Sequence, residues 1–373
     1  MPKNVVVCCD GTANEFARNR TNVVKLFFTL AADPATQVAY YHPGLGTMAP
    51  QGALTPLAQR VTRLAGLAFG YGLSADVRDA YVFIMNSFEA GDRLFLFGFS
   101  RGAYTDRAVT ALLHAYGLIG RLNDAFVPYA TRMMLAAEKL RDADSNDPRV
   151  DEYFDLARAF KATFSSRSCQ PHFVGLWDTV SSVGWIANPL RLPFATNNPA
   201  IQIGRHAVAI DERRAFFRTN LWRPGEDAAK SGPKDLKQVW FPGVHCDVGG
   251  GYPEKESGLA KIALQWMLDE AVAAGLLLDQ NKVDLVLGRR GGGYVPPDAN
   301  GLMHESLKGG WRVAEFVPKR HWDAQTRRWG WRINNYERRR MPPRACVHDA
   351  AFERGDGYAS RLPPDAVRLS SVS

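Results

Sequence analysis

A short segment in the first third of the chain combines a serine with the flanking glycines that a nucleophile turn needs. Residues 98–102 are Gly-Phe-Ser-Arg-Gly, and they lie between the apolar run 93–97 and a helix-like stretch that starts near Tyr104. In a strand–turn–helix of this kind the serine hydroxyl stands clear of the sheet, and the glycines allow helix and strand to approach closely. We therefore predict that Ser100 is a nucleophile and that the backbone N–H of Arg101 donates to an oxyanion.

Two aspartates follow predicted strands and could orient a catalytic histidine. A serine nucleophile needs a histidine base, and the base needs an orienting acid. In one large class of serine hydrolases the chain order is serine, acid, histidine. Asp247 fits the acid, because it follows the apolar run 238–241 and precedes three consecutive glycines at 249–251. Asp178, which follows the run 172–177, is the alternative acid.

Three histidines lie beyond Asp247 and fit this order, namely His304, His321 and His348. We predict that His304, which follows a Gly- and Pro-rich loop, is the base, with His348 as the alternative. His245 is two residues from Asp247, and in an extended segment its side chain would not point toward the acid. We therefore expect His245 to line the site.

A second oxyanion donor is expected in the turn after the first strand. The apolar run 5–9 leads into Asp10, Gly11 and Thr12. Gly11 allows backbone N–H groups to face a ligand, so Thr12 is the predicted donor and Asp10 is expected to bond to neighbouring N–H groups. His42 follows the second apolar run and is predicted to line the same edge.

Two other functions are compatible with these residues. Asp10, Asp178, His245 and Asp247 could together hold a cation, which would make the chain a metal-dependent phosphoester hydrolase. The arginine-rich tail could instead belong to a non-catalytic binding module. The serine mechanism is our first hypothesis, and it requires no metal and no cofactor. Activity that survives Ser100→Ala but is lost with a chelator would favour the metal enzyme.

Alternating strands and helices position these residues. Nearly continuous apolar runs are typical of strands buried on both faces of a parallel sheet, and here they are residues 5–9, 37–41, 93–97, 172–177 and 238–241. Helix-like stretches lie at 76–90, 104–116 and 259–278. The pattern predicts an α/β fold with a doubly wound, mostly parallel sheet, in which ligands bind at the carboxyl ends of the strands. We expect a single domain over 1–373, with cap insertions at about 118–165 and 181–202 and an irregular basic C-terminal segment at about 301–373.

Composition limits the class of protein. The chain has 373 residues, of which 46% are apolar and 23% charged, and this excludes collagen-like, coiled-coil and largely disordered proteins. Five cysteines without metal-ligand spacing indicate reduced thiols, and the N-terminus lacks a signal-peptide pattern. We expect a cytoplasmic protein, or one exported without a cleavable signal peptide. The net charge of +8 favours anionic partners such as an anionic membrane surface. No nucleic-acid-binding motif is present, so we expect no nucleic acid partner.

Seven segments together have a familiar pattern: residues 9–14, 21–23, 41–47, 98–104, 175–180, 209–214 and 241–252. They resemble an α/β-hydrolase family, long catalogued as a domain of unknown function, that includes the catalytic domains of bacterial type VI secretion phospholipase effectors. The resemblance spans roughly residues 5–310. It implies a sheet of α/β-hydrolase type and a lipase, phospholipase or esterase that cleaves acyl esters through an acyl-enzyme. By resemblance Ser100 is the nucleophile and Asp247 the acid, while His304 and His348 both lie in family-like segments.

Overall fold

The computed structural model describes residues 2–11, 19–44, 67–140, 147–180, 184–185, 188–189, 192–223, 232–323 and 328–371. Its strands, in chain order, are β1 (Asn4–Cys9), β2 (Gln37–His42), β3 (Arg93–Phe99), β4 (Leu118–Ile119), β5 (Ser165–Arg167), β6 (Pro171–Trp177), β7 (Gly184–Trp185), β8 (Asn188–Pro189), β9 (Ile203–Ala209), β10 (Asp235–Phe241), β11 (Lys319–Asp323), β12 (Arg328–Arg332), β13 (Cys346–Val347) and β14 (Val367–Arg368). Its helices are α1 (Asn22–Thr29), α2 (Leu67–Ser87), α3 (Arg101–Tyr116), α4 (Val127–Ala136), α5 (Pro148–Phe164), α6 (His245–Gly249), α7 (Gly258–Ala273), α8 (Gln280–Val286), α9 (Gly310–Ala314), α10 (Ala350–Glu353) and α11 (Asp356–Ala359).

Eight strands form the central sheet in the order β2-β1-β3-β6-β9-β10-β13-β14. Every neighbouring pair in this sheet is parallel. The strand order reverses direction between β1 and β3, because β2 lies on one side of β1 and all later strands lie on the other. The predicted doubly wound, mostly parallel α/β fold is therefore confirmed. Such a reversal opens a crevice at the carboxyl ends of the two strands, where ligands bind.

The two faces of the sheet are covered by different helices. In β1, Val5 and Val7 belong to a core shared with α2 and α3. Val6 and Cys8 point the other way and belong to a core shared with α1 and α7. Successive side chains of a strand alternate between faces, so a strand covered on both sides must be apolar throughout. This explains why the buried strands appear in the sequence as uninterrupted apolar runs.

Three helices begin or end at residues other than the predicted ones. The helix predicted from residue 76 begins at Leu67, and the one predicted from residue 104 begins at Arg101, directly after Ser100. The helix predicted to reach residue 278 ends at Ala273, and Gly275 follows with a φ of +93°. A positive φ is readily adopted by glycine and stops a helix.

The segments predicted to lie outside the sheet contain short elements. Residues 118–165 include β4, α4 and α5, with β4 antiparallel to β5. The C-terminal segment from residue 301 is not irregular throughout, because β13 and β14 extend the central sheet and Val347 of β13 packs in one core with Trp240. In the part of the chain that the structure describes, no helix has the length and apolar character needed to cross a membrane.

The connection between β3 and α3 brings backbone very close to backbone. A Cβ atom added at Gly98 would lie 2.6 Å from the backbone nitrogen of Ala103. A Cβ atom added at Gly102 would lie 2.1 Å from the carbonyl oxygen of Cys9, at the end of β1. Both glycines are therefore required for α3 to start against the ends of β1 and β3.

We expect Gly102→Ala to lower the free energy of unfolding by about 1–3 kcal/mol, because the added methyl group overlaps a backbone oxygen that cannot move freely. Alanine is the better helix former by about 1 kcal/mol, so helix propensity alone predicts the opposite sign. Gly357→Ala in α11 is the matched control, because no atom of the described residues lies within 4 Å of its Cβ position. Urea unfolding of both variants measures the change in the free energy of unfolding. An unchanged midpoint for Gly102→Ala would contradict the packing argument.

Candidate active site

Ser100 lies on a strained turn between β3 and α3. Its φ of 59° and ψ of −117° place it in a region that residues other than glycine rarely adopt. Strain of this kind costs about 1–3 kcal/mol and persists only where the surrounding structure imposes it. The turn places Ser100 at the carboxyl edge of the sheet, where 8% of the residue is exposed. The backbone N–H groups of the first turn of α3 come directly after Ser100 in the chain.

A continuous chain of hydrogen bonds joins three buried side chains at this edge. Ser100 Oγ lies 2.8 Å from Nε2 of His245, and Nδ1 of His245 lies 2.5 Å from Oδ2 of Asp178. Asp178 is fully buried and His245 is 3% exposed. If Nδ1 holds the proton and donates to the carboxylate, Nε2 is left to accept from the serine hydroxyl. The arrangement can therefore remove a proton from Ser100.

Three parallel strands bring these residues together. Ser100 follows β3, Asp178 follows β6, and His245 begins α6 shortly after β10. Because the sheet is parallel, all three chain exits lie at the same edge. Asp178 has a φ of 38°, a second unusual backbone conformation, and its carboxylate accepts from the backbone N–H of Ala209 at the end of β9. The acid is thus held by two neighbouring strands.

Arg339, from the C-terminal segment, makes a two-pronged ion pair with Asp178. Nη1 lies 2.5 Å from Oδ1 and Nη2 lies 3.0 Å from Oδ2. The same guanidinium donates to the carbonyl oxygens of Ala209 and Phe217. Burial favours the neutral acid, but the charge of Arg339 and the bond to His245 outweigh it and hold the pKa of Asp178 well below its usual range. Asp178 is therefore a carboxylate throughout the range in which proteins function.

His245 has an environment that keeps its imidazole neutral. Burial lowers its pKa, and the neighbouring Asp178 only partly opposes this effect. The rings of Phe99 and Phe217 lie against the imidazole, with centroids 4.6 and 4.9 Å away. The backbone N–H of His245 donates to the buried carboxylate of Glu212. These contacts fix the ring and leave it uncharged, which is the form that a general base requires.

The predicted placement of His304 beside Ser100 is wrong. His304 instead bonds through Nδ1 to Asp247, at 2.6 Å, and through Nε2 to Glu256, at 2.9 Å. The carboxylate of Asp247 also accepts from the backbone N–H of Val244, so it stabilises the first turn of α6. Asp247 and His304 thus contact each other but lie outside the hydrogen-bonded chain that includes Ser100. The alternative acid of the sequence analysis, Asp178, is the aspartate that the structure brings to His245.

His245 is missed as the partner of Ser100 because the choice of Asp247 as acid limits the candidate bases to the histidines beyond it. With Asp178 as the acid, His245 fits the order serine, acid, histidine. Residues 245–249 are helical, and side chains two residues apart in a helix are rotated by about 200° around its axis, so they face nearly opposite sides. His245 consequently faces Ser100, while Asp247 turns back toward the start of its own helix.

The other predicted residues have separate positions. His348 stacks on Phe241 and accepts from the N–H of Ala350, so it does not bond to Ser100. Asp10 accepts from the backbone N–H of Gly11 and from the hydroxyl groups of Thr21 and Tyr41. Arg101 begins α3. The predicted donor Thr12 lies outside the described residues. His42, at the end of β2, lies 3.4 Å from Asp76.

The four residues of the metal hypothesis do not form one cluster. Asp178 is occupied by Arg339 and His245, while Asp10 bonds to Gly11, Thr21 and Tyr41. Asp247 bonds to His304. Across the described ranges, no three His, Cys, Asp or Glu side chains are grouped as metal ligands would be. The geometry favours proton transfer between side chains at this edge.

Sequence reasoning missed two residues that support the site. Arg339 lies in the run Arg338-Arg339-Arg340, within the C-terminal segment that the sequence characterises only as basic and arginine-rich. Glu212 accepts from the N–H of His245 and pairs with Arg214 at 2.9 Å. Long-range pairing of this kind has no local signature, although three consecutive arginines next to Glu337 were a visible anomaly.

Comparisons with known proteins identify related chains. A protein-family model described as "T6SS, Phospholipase effector Tle1-like, catalytic domain" matches residues 3–270. The uncharacterized protein YEL023C of Saccharomyces cerevisiae is 34% identical over 230 residues, which are 60% of this chain and 33% of that protein. A crystal structure of an uncharacterized protein from Pseudomonas aeruginosa aligns with a TM-score of 0.41 and 20% identity, over 74% of this chain and 46% of that one. The chain thus spans about a third of the length of its curated relative.

We expect Arg339→Gln to lower the free energy of unfolding by about 3 kcal/mol at neutral pH, because it removes the cation that compensates the buried carboxylate of Asp178. The pKa of Asp178 is lower in the folded chain than its unfolded value of about 3.9, so the pair stabilises fully above that value and is lost as the pH falls toward the folded pKa. The deficit of the variant should therefore be smaller at about pH 3 than at neutral pH.

Urea unfolding at the two pH values measures this deficit. Arg340→Gln is the matched control, because the Arg340 side chain is 76% exposed and pairs with Glu337 at the surface. A deficit for Arg339→Gln that is no larger than that of Arg340→Gln, or that does not change with pH, would contradict the role given to the ion pair.

Proposed function

Since the chain belongs to the family of Tle1-like phospholipase effector catalytic domains, we propose that it cleaves carboxylic esters of lipids by a serine mechanism. The observation that supports this most strongly is the 2.8 Å contact between Ser100 Oγ and His245 Nε2. A serine on a strained turn, with a neutral histidine within hydrogen-bond distance, is the arrangement that acyl transfer requires.

The proposed reaction has two halves that use the same histidine. In the first, Ser100 Oγ attacks the ester carbonyl while His245 Nε2 takes its proton. The tetrahedral intermediate collapses when His245 returns that proton to the departing alcohol, which leaves an acyl group on Ser100. In the second half His245 takes a proton from water, the hydroxide attacks the acyl-enzyme, and Ser100 recovers its proton as the carboxylic acid leaves. Asp178 stabilises the imidazolium in both halves.

The oxyanion is assigned to backbone N–H groups at the start of α3. Ser100 precedes this helix, so the N–H of Arg101 lies in the first turn, where the N–H groups of a helix lack intrahelical acceptors. The positive end of the helix dipole adds to their effect on a developing negative charge. Thr12 remains the predicted second donor.

Aromatic side chains beside His245 suit a lipid substrate. Phe217 contacts the imidazole, and the ring centroid of Trp311 lies 5.4 Å from that of Phe217. Trp311 is 38% exposed. This series leads from the base to the surface and offers apolar contact to an acyl chain. We further propose peripheral contact with an anionic membrane, in line with the charge of +8. The location of the protein, cytoplasmic or exported without a cleavable signal peptide, stays a prediction.

We expect Ser100→Ala and His245→Ala each to reduce the release of fatty acid from a phospholipid by on the order of 10³-fold or more. His304→Ala should have a much smaller effect, because His304 bonds to Asp247 and Glu256 rather than to Ser100. Single-turnover and steady-state rates of the three variants, each checked for its melting temperature, test the assignment. If His304→Ala is as damaging as His245→Ala while the fold is intact, the base has been misassigned.

We expect kcat/KM to rise with pH and to reach its half-maximum below pH 6.5, the ordinary histidine value, because burial lowers the pKa of His245 and the base acts when neutral. Asp178→Asn removes the group that opposes this effect, so the midpoint should move further down while the plateau falls by about 10⁴-fold. A pH profile of both proteins on a soluble ester gives the result. A midpoint above 6.5, or one that Asp178→Asn leaves in place, would count against His245.

A further inference from the structure

A cavity of about 250 Å³ adjoins the hydrogen-bonded chain of Ser100, His245 and Asp178. Two segments line it, residues 212–219 after β9 and residues 332–340, which begin at the last residue of β12. It shares Arg339 and Phe217 with the surroundings of Asp178 and His245. Seven of its lining residues are arginines and two are glutamates, so its walls are strongly positive.

The positive charge of this arginine cavity is only partly neutralised within the described chain. Arg214 pairs with Glu212, while Arg332 and Arg340 share Glu337. Two further arginines of the lining, Arg218 and Arg338, have no carboxylate within ion-pair distance among the described residues. Burial lowers the pKa of Arg218, and the nearby Arg332 lowers it further. Glu337 and Glu315 oppose these effects only in part, so an anion bound in the cavity would relieve the remaining repulsion between the arginines.

Buried donors in the lining also lack acceptors. The Arg339 side chain is only 7% exposed, and among the described residues its Nε has no hydrogen-bond partner, although both Nη atoms are engaged. Nε of Arg213 is likewise buried and has no partner in the part of the chain that the structure describes. Buried N–H groups in folded proteins nearly always have a partner, and leaving one unpaired costs free energy. These two Nε atoms have almost no accessible surface, so the exposed arginines of the lining, such as Arg338 and Arg340, are the ones that offer donors and charge to a ligand rich in acceptor oxygens.

We propose that the arginine cavity binds the phosphate group of a phospholipid while the ester of the same molecule reaches Ser100. A guanidinium group binds phosphate through two parallel hydrogen bonds to its oxygens. A carboxylic ester alone has too few charged oxygens to engage several such groups. The proposal rests on the lipid hydrolysis proposed above and adds a head-group site to it. Soluble phosphate esters share this chemistry, but the exposed Trp311 next to Phe217 favours a ligand that also has an acyl chain.

The first test compares two substrates that differ only in the phosphate. Dihexanoyl phosphatidic acid and dihexanoyl glycerol are supplied as monomers to the unaltered chain, Arg218→Gln and Arg132→Gln. The ratio of kcat/KM on the phosphate substrate to that on the neutral one should fall about tenfold or more in Arg218→Gln, mainly through KM. Arg132, exposed on α4 and outside the cavity, controls for the loss of one positive charge. Arg338→Gln, at an exposed cavity position, serves if Arg218→Gln does not fold.

The outcomes separate the two proposals. An equal ratio in all variants would overturn the head-group site while leaving ester hydrolysis in place. If the unaltered chain cleaves neither substrate, the proposed lipid hydrolysis is wrong. Binding measurements alone then show whether the cavity holds the phosphate of a lipid. For that arm, Ser100→Ala protein with and without Arg218→Gln is titrated with dihexanoyl phosphatidic acid and with sn-glycerol 3-phosphate. Tighter binding of the lipid that weakens with Arg218→Gln supports the proposal, whereas equal binding of the two ligands, or no effect of Arg218, overturns it.

Discussion

The structure depends on how one fully buried carboxylate, that of Asp178, is compensated. His245, Arg339 and the N–H of Ala209 all bond to it, and without them an isolated charge in this position would be very costly. These bonds join the ends of β6 and β9, the start of α6 and the C-terminal segment. Arg339 lies beyond residues 3–270, which match the family, so a residue outside the matched segment completes the site. The same arginine forms one wall of the arginine cavity, which links ester chemistry to the proposed phosphate site.

The fold was predictable where burial on both faces imposes an apolar sequence. The runs that became β1, β2, β3, β6 and β10 were recognised for that reason. β9 was not, because it includes Arg205 and His206 although both are buried. Arg205 is compensated by Asp235 and Glu270, which are distant in sequence. Pairing across the fold can thus hide a central strand from any local pattern.

The site was predictable to a similar extent. Ser100 is flanked by glycines, and replacing either of them by a residue with a side chain would cause atomic overlap at the β3–α3 turn. The position of Ser100 therefore follows from local geometry. Asp178 could be identified as one of two acids, but the choice between them depends on strand order. His245 was assigned a lining role because the choice of Asp247 as acid limited the candidate bases to later histidines, whereas His245 lies between the two aspartates in the chain. The orientation of a side chain after a strand end therefore decides the site, and sequence spacing alone does not determine it.

The account depends on Ser100 and His245 acting on the same substrate carbonyl. A crystal structure of the protein after reaction with a phosphonate analogue of a phospholipid tests this most directly. We expect phosphorus bonded to Ser100 Oγ, a phosphonyl oxygen accepting from the N–H of Arg101, and His245 Nε2 within about 3 Å of the leaving-group side. Phosphorus bonded to any other residue, or the ring of His304 in place of His245, would contradict it.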